Sequence, residues 1–278
     1  MDSAIVQEDP ARLLDKLLGA IRKRGRLLTA FSGGVDSTLV TAVARRALGR
    51  ASAPAALGDS ASLARFELEE ARRIAKELDV ELFELNPGEQ DDPNYRRNDP
   101  DRCYFCKTHL YEQLRELAAR LNIRHIANGT NTDDLGDHRP GMKAAKEVGV
   151  ITPLVEAGLG KPQVRAVAEH LGLPNWDKPA AACLASRLPY GTSVTLGRLE
   201  QIERAEAALR KLGFSGCRVR HHEKVARIEL PIDQMQRLWY LRPQVVEVLK
   251  QAGYLYITVD LEGFRSGSAN IALTSRGS

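Results

Sequence analysis

The chain has 278 residues, of which 43% are hydrophobic and 27% charged, and its formal net charge is +4. This length accommodates one large or two modest globular domains, and the small charge excess does not indicate a nucleic-acid partner. Neither a basic start followed by an apolar stretch nor a run of about 18 apolar residues occurs, so a cytoplasmic protein without a membrane span is expected.

The first part of the chain alternates short apolar runs with longer amphipathic segments. Apolar residues at helical spacing predict a first helix that ends at Gly25; they are Leu13, Leu14, Leu17, Leu18 and Ile21. The apolar runs predict five strands, at 27–31, 54–57, 80–85, 125–127 and 151–154. The segments between them predict helices over 38–48, 63–78, 107–121 and 164–171. This alternation is typical of an α/β fold with a parallel sheet covered on both faces.

The pattern changes beyond residue 175. A helix is predicted over 196–212, and alternating polar and apolar residues predict strands at 217–221, 226–230 and 255–261. A further helical region contains Trp239 and residues 245–249. These elements indicate a smaller α+β domain, so we predict a first domain over 1–178 and a second, for substrate binding or oligomerisation, over 179–278.

A glycine-rich loop with the sequence AFSGGVDST joins a predicted strand to a predicted helix at residues 30–38. Such a junction directs unpaired backbone N–H groups and the positive end of a helix at an anion. Gly33 and Gly34 allow a tight turn and a close approach to phosphate oxygens. Asp36 is a carboxylate beside the expected phosphates, which normally implies a bridging Mg²⁺.

The loop is not a Walker A motif, because it lacks the lysine, and it is not a dinucleotide fingerprint. The alternative is a turn whose serine and aspartate side chains only cap a helix. The complete S-G-G-x-D-S string at a strand–helix junction favours phosphate binding. Ser60 and the polar loop at 128–134 follow two other predicted strands and are expected at the same edge of the sheet, although a solvated turn is the alternative for the second.

The loop resembles the PP-loop of the N-type ATP pyrophosphatases, and the resemblance covers residues 25–175. It implies that ATP is cleaved between its α- and β-phosphates, that pyrophosphate leaves and that AMP is transferred to an acceptor oxygen. It also implies a catalytic role for Asp36. The nucleotide-binding residues predicted in this way are Ala30, Ser32, Gly33, Gly34, Val35, Asp36, Ser37, Ser60, Gly129 and Thr130.

Four cysteines in a chain of this length do not suggest a disulfide scaffold. Cys103 and Cys106 form a C-x-x-C motif at a predicted loop–helix junction, where two thiolates can share a metal. Together with Cys183 they suit a [4Fe–4S] cluster with one open iron. A zinc site completed by a histidine, a buried apolar pair and a redox disulfide are the alternatives. Cys217 lies on an alternating strand and is expected in the core.

Four segments in order along the chain resemble the LarE family, the ATP-dependent sulfur transferases of nickel-pincer cofactor synthesis. The segments are Phe31–Ser37, Arg102–Lys107, Ala182–Arg187 with 189–191, and Arg218–Arg220 with 226–229. The resemblance implies that pyridinium-3,5-biscarboxylic acid mononucleotide is adenylated and its carboxylates become thiocarboxylates. Some members sacrifice the sulfur of one cysteine, which matches Cys183. Others have three cysteines and hold an iron–sulfur cluster that carries an extra sulfide. The three cysteines here predict the cluster form, with Cys183 as a catalytic residue.

The resemblance also implies residues that bind the anionic substrate. They are Ser186, Arg187, Glu206, Arg218 and Arg220. Without it, a solvated strand face would explain Arg218 and Arg220. A sulfide or sulfur-donor protein is the expected partner, and the family suggests a homo-oligomer, a hexamer. The alternative functions are a tRNA thiolase, an ammonia-dependent amide synthetase and a non-catalytic nucleotide-binding or iron–sulfur scaffold protein.

Overall fold

A computed structural model describes residues 8–136 and 140–265, which divide into two units. The first unit comprises the chain up to residue 60 together with 66–89 and 103–181. The second comprises 61–65, 90–102 and the chain from 182 onward. The predicted domain boundary after residue 178 stays a prediction. The second unit also includes two short segments from the first part of the chain, 61–65 and 90–102, which one boundary cannot separate from the first unit.

The described residues form helices and strands that we number in chain order. The strands are β1 (Leu27–Ala30), β2 (Ala55–Gly58), β3 (Leu82–Leu85), β4 (His125–Ala127), β5 (Arg218–His222), β6 (Val225–Glu229) and β7 (Tyr256–Val259). The α-helices are α1 (Pro10–Arg22), α2 (Val35–Leu48), α3 (Arg65–Glu77), α4 (Pro93–Arg97), α5 (Arg102–Arg120), α6 (Pro140–Glu147), α7 (Pro153–Glu156), α8 (Lys161–His170), α9 (Leu196–Lys211), α10 (Met235–Tyr240) and α11 (Arg242–Gln251).

The first unit is built on a parallel sheet with the strand order β3-β2-β1-β4. On one face the buried leucines of α1 pack with α2 and α8, and on the other α5 contributes Tyr111, Leu114 and Leu117 to a second apolar cluster. The apolar strands are therefore covered on both sides, as runs without polar alternation require. This confirms the predicted α/β fold.

Two local predictions are wrong. The segment 151–154 forms a single bridge between Ala127 and Ile151 in place of a fifth strand. Pro153 cannot donate to a strand ladder and its fixed φ suits the first position of a helix, which is where α7 begins. The helix predicted from residue 107 begins at Arg102, so both cysteines of the C-x-x-C motif lie in its first turns.

The second unit contains a three-stranded sheet in which β6 pairs antiparallel with β5 and parallel with β7. Successive side chains along each strand point to opposite faces of this sheet. Val219, Ala226 and Ile228 are buried in a cluster with residues of α9 and α11. Arg218 and Arg220 alternate with these residues and lie on the opposite face. This is the α+β arrangement expected for the C-terminal part of the chain.

None of the helices in the described ranges combines the length and the apolar character that crossing a bilayer requires.

A histidine lies in the core of the second unit. His221 is 2% exposed, its Nδ1 is 3.1 Å from the hydroxyl of Tyr254, and its Nε2 has no hydrogen-bond partner among the described residues. Burial lowers the pKa of His221 below 6.5, because the imidazolium would lose its hydration. The folded state therefore favours the neutral form of this side chain more than the unfolded chain does.

We expect His221 to make the protein less stable in mild acid. The pKa is 6.5 in the unfolded chain and lower in the folded one, so stability is fully present above pH 6.5 and is lost as the pH falls toward the folded pKa. Between the folded pKa and pH 6.5, the unfolding free energy of the wild type should rise with pH. Replacing His221 by Asn should make this rise less steep, by up to about 1.4 kcal/mol per pH unit. Urea unfolding at a series of pH values measures the slope. His170→Asn, at an exposed position of α8, is the control and should leave it unchanged; an unchanged slope in H221N would contradict the expectation.

Candidate functional site

The order of the strands defines a crevice in the first unit. From β1 the chain proceeds outward to β2 and β3 and then returns to place β4 on the other side of β1. The loops that leave β1 and β4 therefore diverge at their carboxyl ends. In open α/β sheets ligands bind at this switch point. Both loops that were predicted to contact the nucleotide, after β1 and after β4, leave from this place.

The loop after β1 is held by hydrogen bonds among its own residues. Ser37 Oγ donates to the carbonyl of Gly34 at 3.1 Å and accepts from the backbone N–H of Ser32 at 3.1 Å. Gly33 has φ +72°, and a Cβ there would lie 2.9 Å from Ala71 Cβ. Only glycine satisfies both constraints.

The helix that follows this loop begins with open donors. Gly34 occupies the N-cap of α2, and no side-chain cap hydrogen bond forms there among the residues that the structure describes. Ala30 ends β1 and Val35 starts α2, so these two residues frame the loop through their backbone. The first N–H groups of a helix need acceptors, and a bound anion supplies them.

The loop after β4 packs directly against the start of α2. A Cβ on Gly129 would lie 2.6 Å from the backbone nitrogen of Ser37. The backbone N–H of Thr130 donates to Asn128 Oδ1 at 3.0 Å, which shapes the turn. Asn131 Nδ2 donates to Asp36 Oδ1 at 2.8 Å. The structure therefore brings the two predicted nucleotide loops together.

The electrostatic environment of Asp36 suits a cation. Burial raises the pKa of Asp36, and the like charge of Asp134 adds to this effect. The hydrogen bond from Asn131 and the positive charge of Lys161 act in the opposite direction. A divalent ion beside these two carboxylates would reduce their repulsion, and carboxylate oxygens are the ligands that Mg²⁺ prefers.

Ser60 occupies a different position at the same end of the sheet. It follows β2 by two residues, and its hydroxyl donates to the carboxylate of the fully buried Glu89. Its predicted contact with the nucleotide stays a prediction.

One contact to the phosphate loop was not predicted from the sequence. Asn175 Nδ2 donates to the carbonyl of Gly33 and to Thr38 Oγ1, both at 2.9 Å. No motif surrounds Asn175, so only the tertiary fold connects it with a loop far away in the chain.

The cysteines occupy distinct settings. Cys103 and Cys106 are three residues apart in the first turns of α5 and therefore share one face of the helix. Cys183 is exposed and precedes the 3₁₀ helix Leu184–Arg187 in the second unit. Within residues 8–136 and 140–265 no three His, Cys, Asp or Glu side chains are grouped so that they could hold a metal ion. Cys217 is buried as expected, and burial raises its pKa to about 11.

The loop that carries Cys183 is held by a buried arginine of the predicted substrate set. Arg187 donates to the carbonyls of Ala182 at 2.7 Å and Cys183 at 3.0 Å, and to Ser186 Oγ at 3.0 Å. The same guanidinium makes a bidentate ion pair with Glu206, at 2.9 and 3.0 Å. The two side chains are 5% and 4% exposed. The structure thus gives Arg187 and Glu206 a role in fixing this loop, and their predicted contact with substrate stays a prediction.

A second arginine reaches the same loop from another side. Arg102, which was not among the predicted site residues, is buried; its guanidinium donates to the carbonyl of Ala185 at 2.9 Å and approaches Cys183 Sγ at 3.9 Å. The sulfur of Cys183 is therefore next to a fixed positive charge.

The predicted arginines of β5 complete a basic face near this loop. Arg220 donates to the carbonyl of Ser186 at 2.9 Å and pairs with Glu229 at 2.7 Å. Arg218 donates to the carbonyl of Cys217 at 2.8 Å. Burial lowers the pKa of Arg218, and the positive charges of Arg187 and Arg220 add to this effect. An anion bound here would relieve the repulsion, which is the chemistry expected of a site for carboxylates or phosphate.

Replacing Gly129 by Ala should disturb the nucleotide site. The new methyl group would meet the backbone of α2, so we expect a loss of about 1–3 kcal/mol in unfolding free energy and weaker ATP binding. Gly136→Ala is the matched control, because no atom of the described residues lies within 4 Å of a Cβ placed there. Urea unfolding and calorimetric titration with ATP test this. ATP binding by G129A equal to that of G136A would contradict the packing described here.

Replacing Glu206 by Gln should destabilise the second unit. The amide keeps the shape but leaves the charge of Arg187 buried and unpaired, which costs about 3–5 kcal/mol. Glu200→Gln, at an exposed position of the same helix, should change stability by less than about 0.5 kcal/mol. Chemical denaturation measures both, and a loss below about 1 kcal/mol in E206Q would show that the pair is unimportant for stability.

Comparison with known proteins identifies relatives over most of the chain, although no family model matches it. The chain is 45% identical to an uncharacterized protein of Synechocystis sp. over 90% of its length and 93% of that protein. It is 27% identical to a glutamine-hydrolyzing GMP synthase chain of Sulfurisphaera tokodaii over 60% of its length and 49% of that protein, consistent with a PP-loop ATP pyrophosphatase domain. It is 38% identical to the pyridinium-3,5-bisthiocarboxylic acid mononucleotide synthase of Lactiplantibacillus plantarum, over 93% of its length and 94% of that protein. The chain therefore belongs to the LarE family of these synthases.

Proposed function

We propose that the chain is an ATP-dependent sulfurtransferase that acts on pyridinium-3,5-biscarboxylic acid mononucleotide. It would adenylate each carboxylate, release pyrophosphate and form a thiocarboxylate. The printed name of the synthase from Lactiplantibacillus plantarum supports this product class. The observation that carries the proposal is the placement of Cys183 on a loop fixed by Arg187, beside the basic residues of β5.

The activation step uses the site of the first unit. The N–H groups at the start of α2 would donate to the β- and γ-phosphates, and Asp36 would hold a Mg²⁺ ion that offsets their negative charge. A carboxylate oxygen of the substrate attacks the α-phosphorus, the bond to the bridging oxygen breaks, and pyrophosphate leaves with the electron pair. Donors already directed at the leaving group lower the barrier, because they need no reorganisation during the reaction.

The sulfur step uses the chemistry of the second unit. The acyl adenylate is electrophilic at carbon, and a sulfur nucleophile adds there while AMP departs with the electrons of the C–O bond. Arg218 and Arg220 would hold the phosphate and the second carboxylate of the substrate. Arg102 and Arg187 hold the Cys183 loop and its sulfur in place.

The source of the sulfur is a separate part of the proposal. A [4Fe–4S] cluster on Cys103, Cys106 and Cys183 would supply a bound sulfide as nucleophile. Cys103 and Cys106 suit two of its thiolate positions, but no third ligand accompanies them among the residues that the structure describes. Sacrifice of the Cys183 sulfur, which leaves dehydroalanine, is the other source.

Three further expectations from the sequence and the family resemblance accompany this function. They are a sulfide or sulfur-donor protein as partner, a homo-hexamer, and a cytoplasmic location. The tRNA thiolase and the amide synthetase are not favoured, because the similarity to the pyridinium-3,5-bisthiocarboxylic acid mononucleotide synthase extends over 93% of the chain.

The test replaces Cys183 by Ser. Purified anaerobically and given Mg²⁺, ATP and the biscarboxylic acid mononucleotide, the wild type should release pyrophosphate and form a thioacid. C183S should keep substrate-dependent pyrophosphate release and lose the thioacid, because adenylation does not need the sulfur. Cys217→Ala, in the core of the second unit, should retain both activities. Pyrophosphate assays and mass spectrometry of the product measure the two steps.

The same experiment distinguishes the alternatives. A wild-type protein that yields neither pyrophosphate nor thioacid would refute the proposed function. Amide formation from ammonia that is unchanged in C183S would identify an amide synthetase. Iron and sulfide analysis, with the polypeptide mass before and after turnover, separates the cluster from the sacrificed cysteine.

A further inference from the structure

Asn175 is a buried amide that contacts the phosphate loop from the protein side. It lies beyond α8, is 2% exposed, and directs its Nδ2 to the carbonyl oxygen of Gly33 and to Thr38 Oγ1, both at 2.9 Å. Gly33 belongs to the loop and Thr38 to the first turn of α2. One amide group therefore joins the turn to the helix that it opens.

The bond to Gly33 also orients the next donor. The carbonyl of Gly33 and the N–H of Gly34 belong to one planar trans peptide, in which they point in opposite directions. With the carbonyl held on Asn175, the N–H of Gly34 must point to the other side of that peptide. It has the Ser32 hydroxyl at 3.4 Å, which is long for a hydrogen bond and leaves the donor available to an anion.

A peptide flip at this position would reverse the site. The carbonyl of Gly33 would then face the phosphates, and its partial negative charge would repel them. Glycine with φ +72° has unusually free backbone rotation, so its own conformational preference does not prevent the flip. The Asn175 amide supplies the missing constraint, because leaving the carbonyl without its buried donor is costly.

We propose that Asn175 is a positioning residue of the phosphate loop, which fixes the Gly33–Gly34 peptide so that its N–H faces the pyrophosphate part of Mg²⁺–ATP. The inference rests on the nucleotide site of the proposed function and goes beyond it by assigning a residue that touches neither the nucleotide nor the acceptor. It predicts a defect confined to the pyrophosphate end of the ligand.

Arg165 provides a matched control for the segment that carries Asn175. Its guanidinium donates to the carbonyls of Trp176 at 3.1 Å and Lys178 at 2.8 Å. It therefore anchors the same segment as Asn175. Replacing Arg165 by Met should remove these two hydrogen bonds while Asn175 keeps its own amide group.

The experiment compares the full-length wild type with N175A, N175D and R165M. N175D has the shape of the native side chain, and titrations at a pH where its carboxyl group is ionised leave it no proton to donate to the Gly33 carbonyl, so it tests the inference even where N175A folds poorly. Calorimetric titration measures binding of magnesium pyrophosphate and, separately, of AMP, and thermal unfolding without ligand reports the fold. We expect N175A and N175D to bind magnesium pyrophosphate at least about tenfold more weakly than wild type. AMP binding by both variants, and the binding of either probe by R165M, should stay within about twofold of wild type.

The outcomes separate this inference from the proposed function. If N175D binds magnesium pyrophosphate within about twofold of wild type, or loses AMP and pyrophosphate binding by the same factor, the positioning role is wrong while the function stands. A wild type that binds neither probe overturns the nucleotide site on which both depend. A wild type that binds both but makes no thioacid overturns only the function, since neither titration requires sulfur.

Discussion

The open start of α2 is the constraint on which the first unit depends. A helix that begins without a side-chain cap leaves N–H groups that need acceptors. The surrounding residues approach this end closely: Gly33 adopts a conformation that side chains avoid, and Gly129 brings the backbone of the loop after β4 up to α2 without a side chain between them. The loops after β1 and β4 thus meet at the end of a helix whose first N–H groups a phosphate can satisfy.

Buried arginine organises the second unit in a different way. A guanidinium removed from water is costly unless its donors are satisfied, and Arg187 satisfies them with one carboxylate and the backbone of the loop that it supports. Such a pair need not add net stability, but it fixes geometry, because the alternatives leave a charge unpaired. The exposed Cys183 is thereby presented by a loop that is rigid where its backbone carbonyls meet Arg187.

The sequence predicted the elements that depend on local patterns. The apolar runs of β1 to β4 are short and bounded by turn residues, and the S-G-G-x-D-S string lies where a strand meets a helix, so both were recognisable. The strand expected at 151–154 failed because Pro153 ends ladder pairing, which outweighed the apolar pattern. The helix α5 begins at Arg102, before the residue at which the sequence predicts it, so the C-x-x-C motif is helical. The individual contacts of Asn131, Asn175 and Arg102 were not predicted, although Asn131 and Arg102 lie in segments that the sequence singles out, because these contacts join residues far apart in the chain.

The composition of the second unit has a consequence for how this protein can be divided. Asn98 and Arg102 belong to that unit although they precede much of the first. Asn98 donates to the carbonyls of Pro189 and Thr192, and Arg102 to that of Ala185. A fragment that begins at residue 182 would carry the sheet but lack these two side chains, and the carbonyls that they hold would lose their donors. The region from residue 182 onward is thus not self-contained. If it is transferred into another protein, residues 90–102 must be transferred with it.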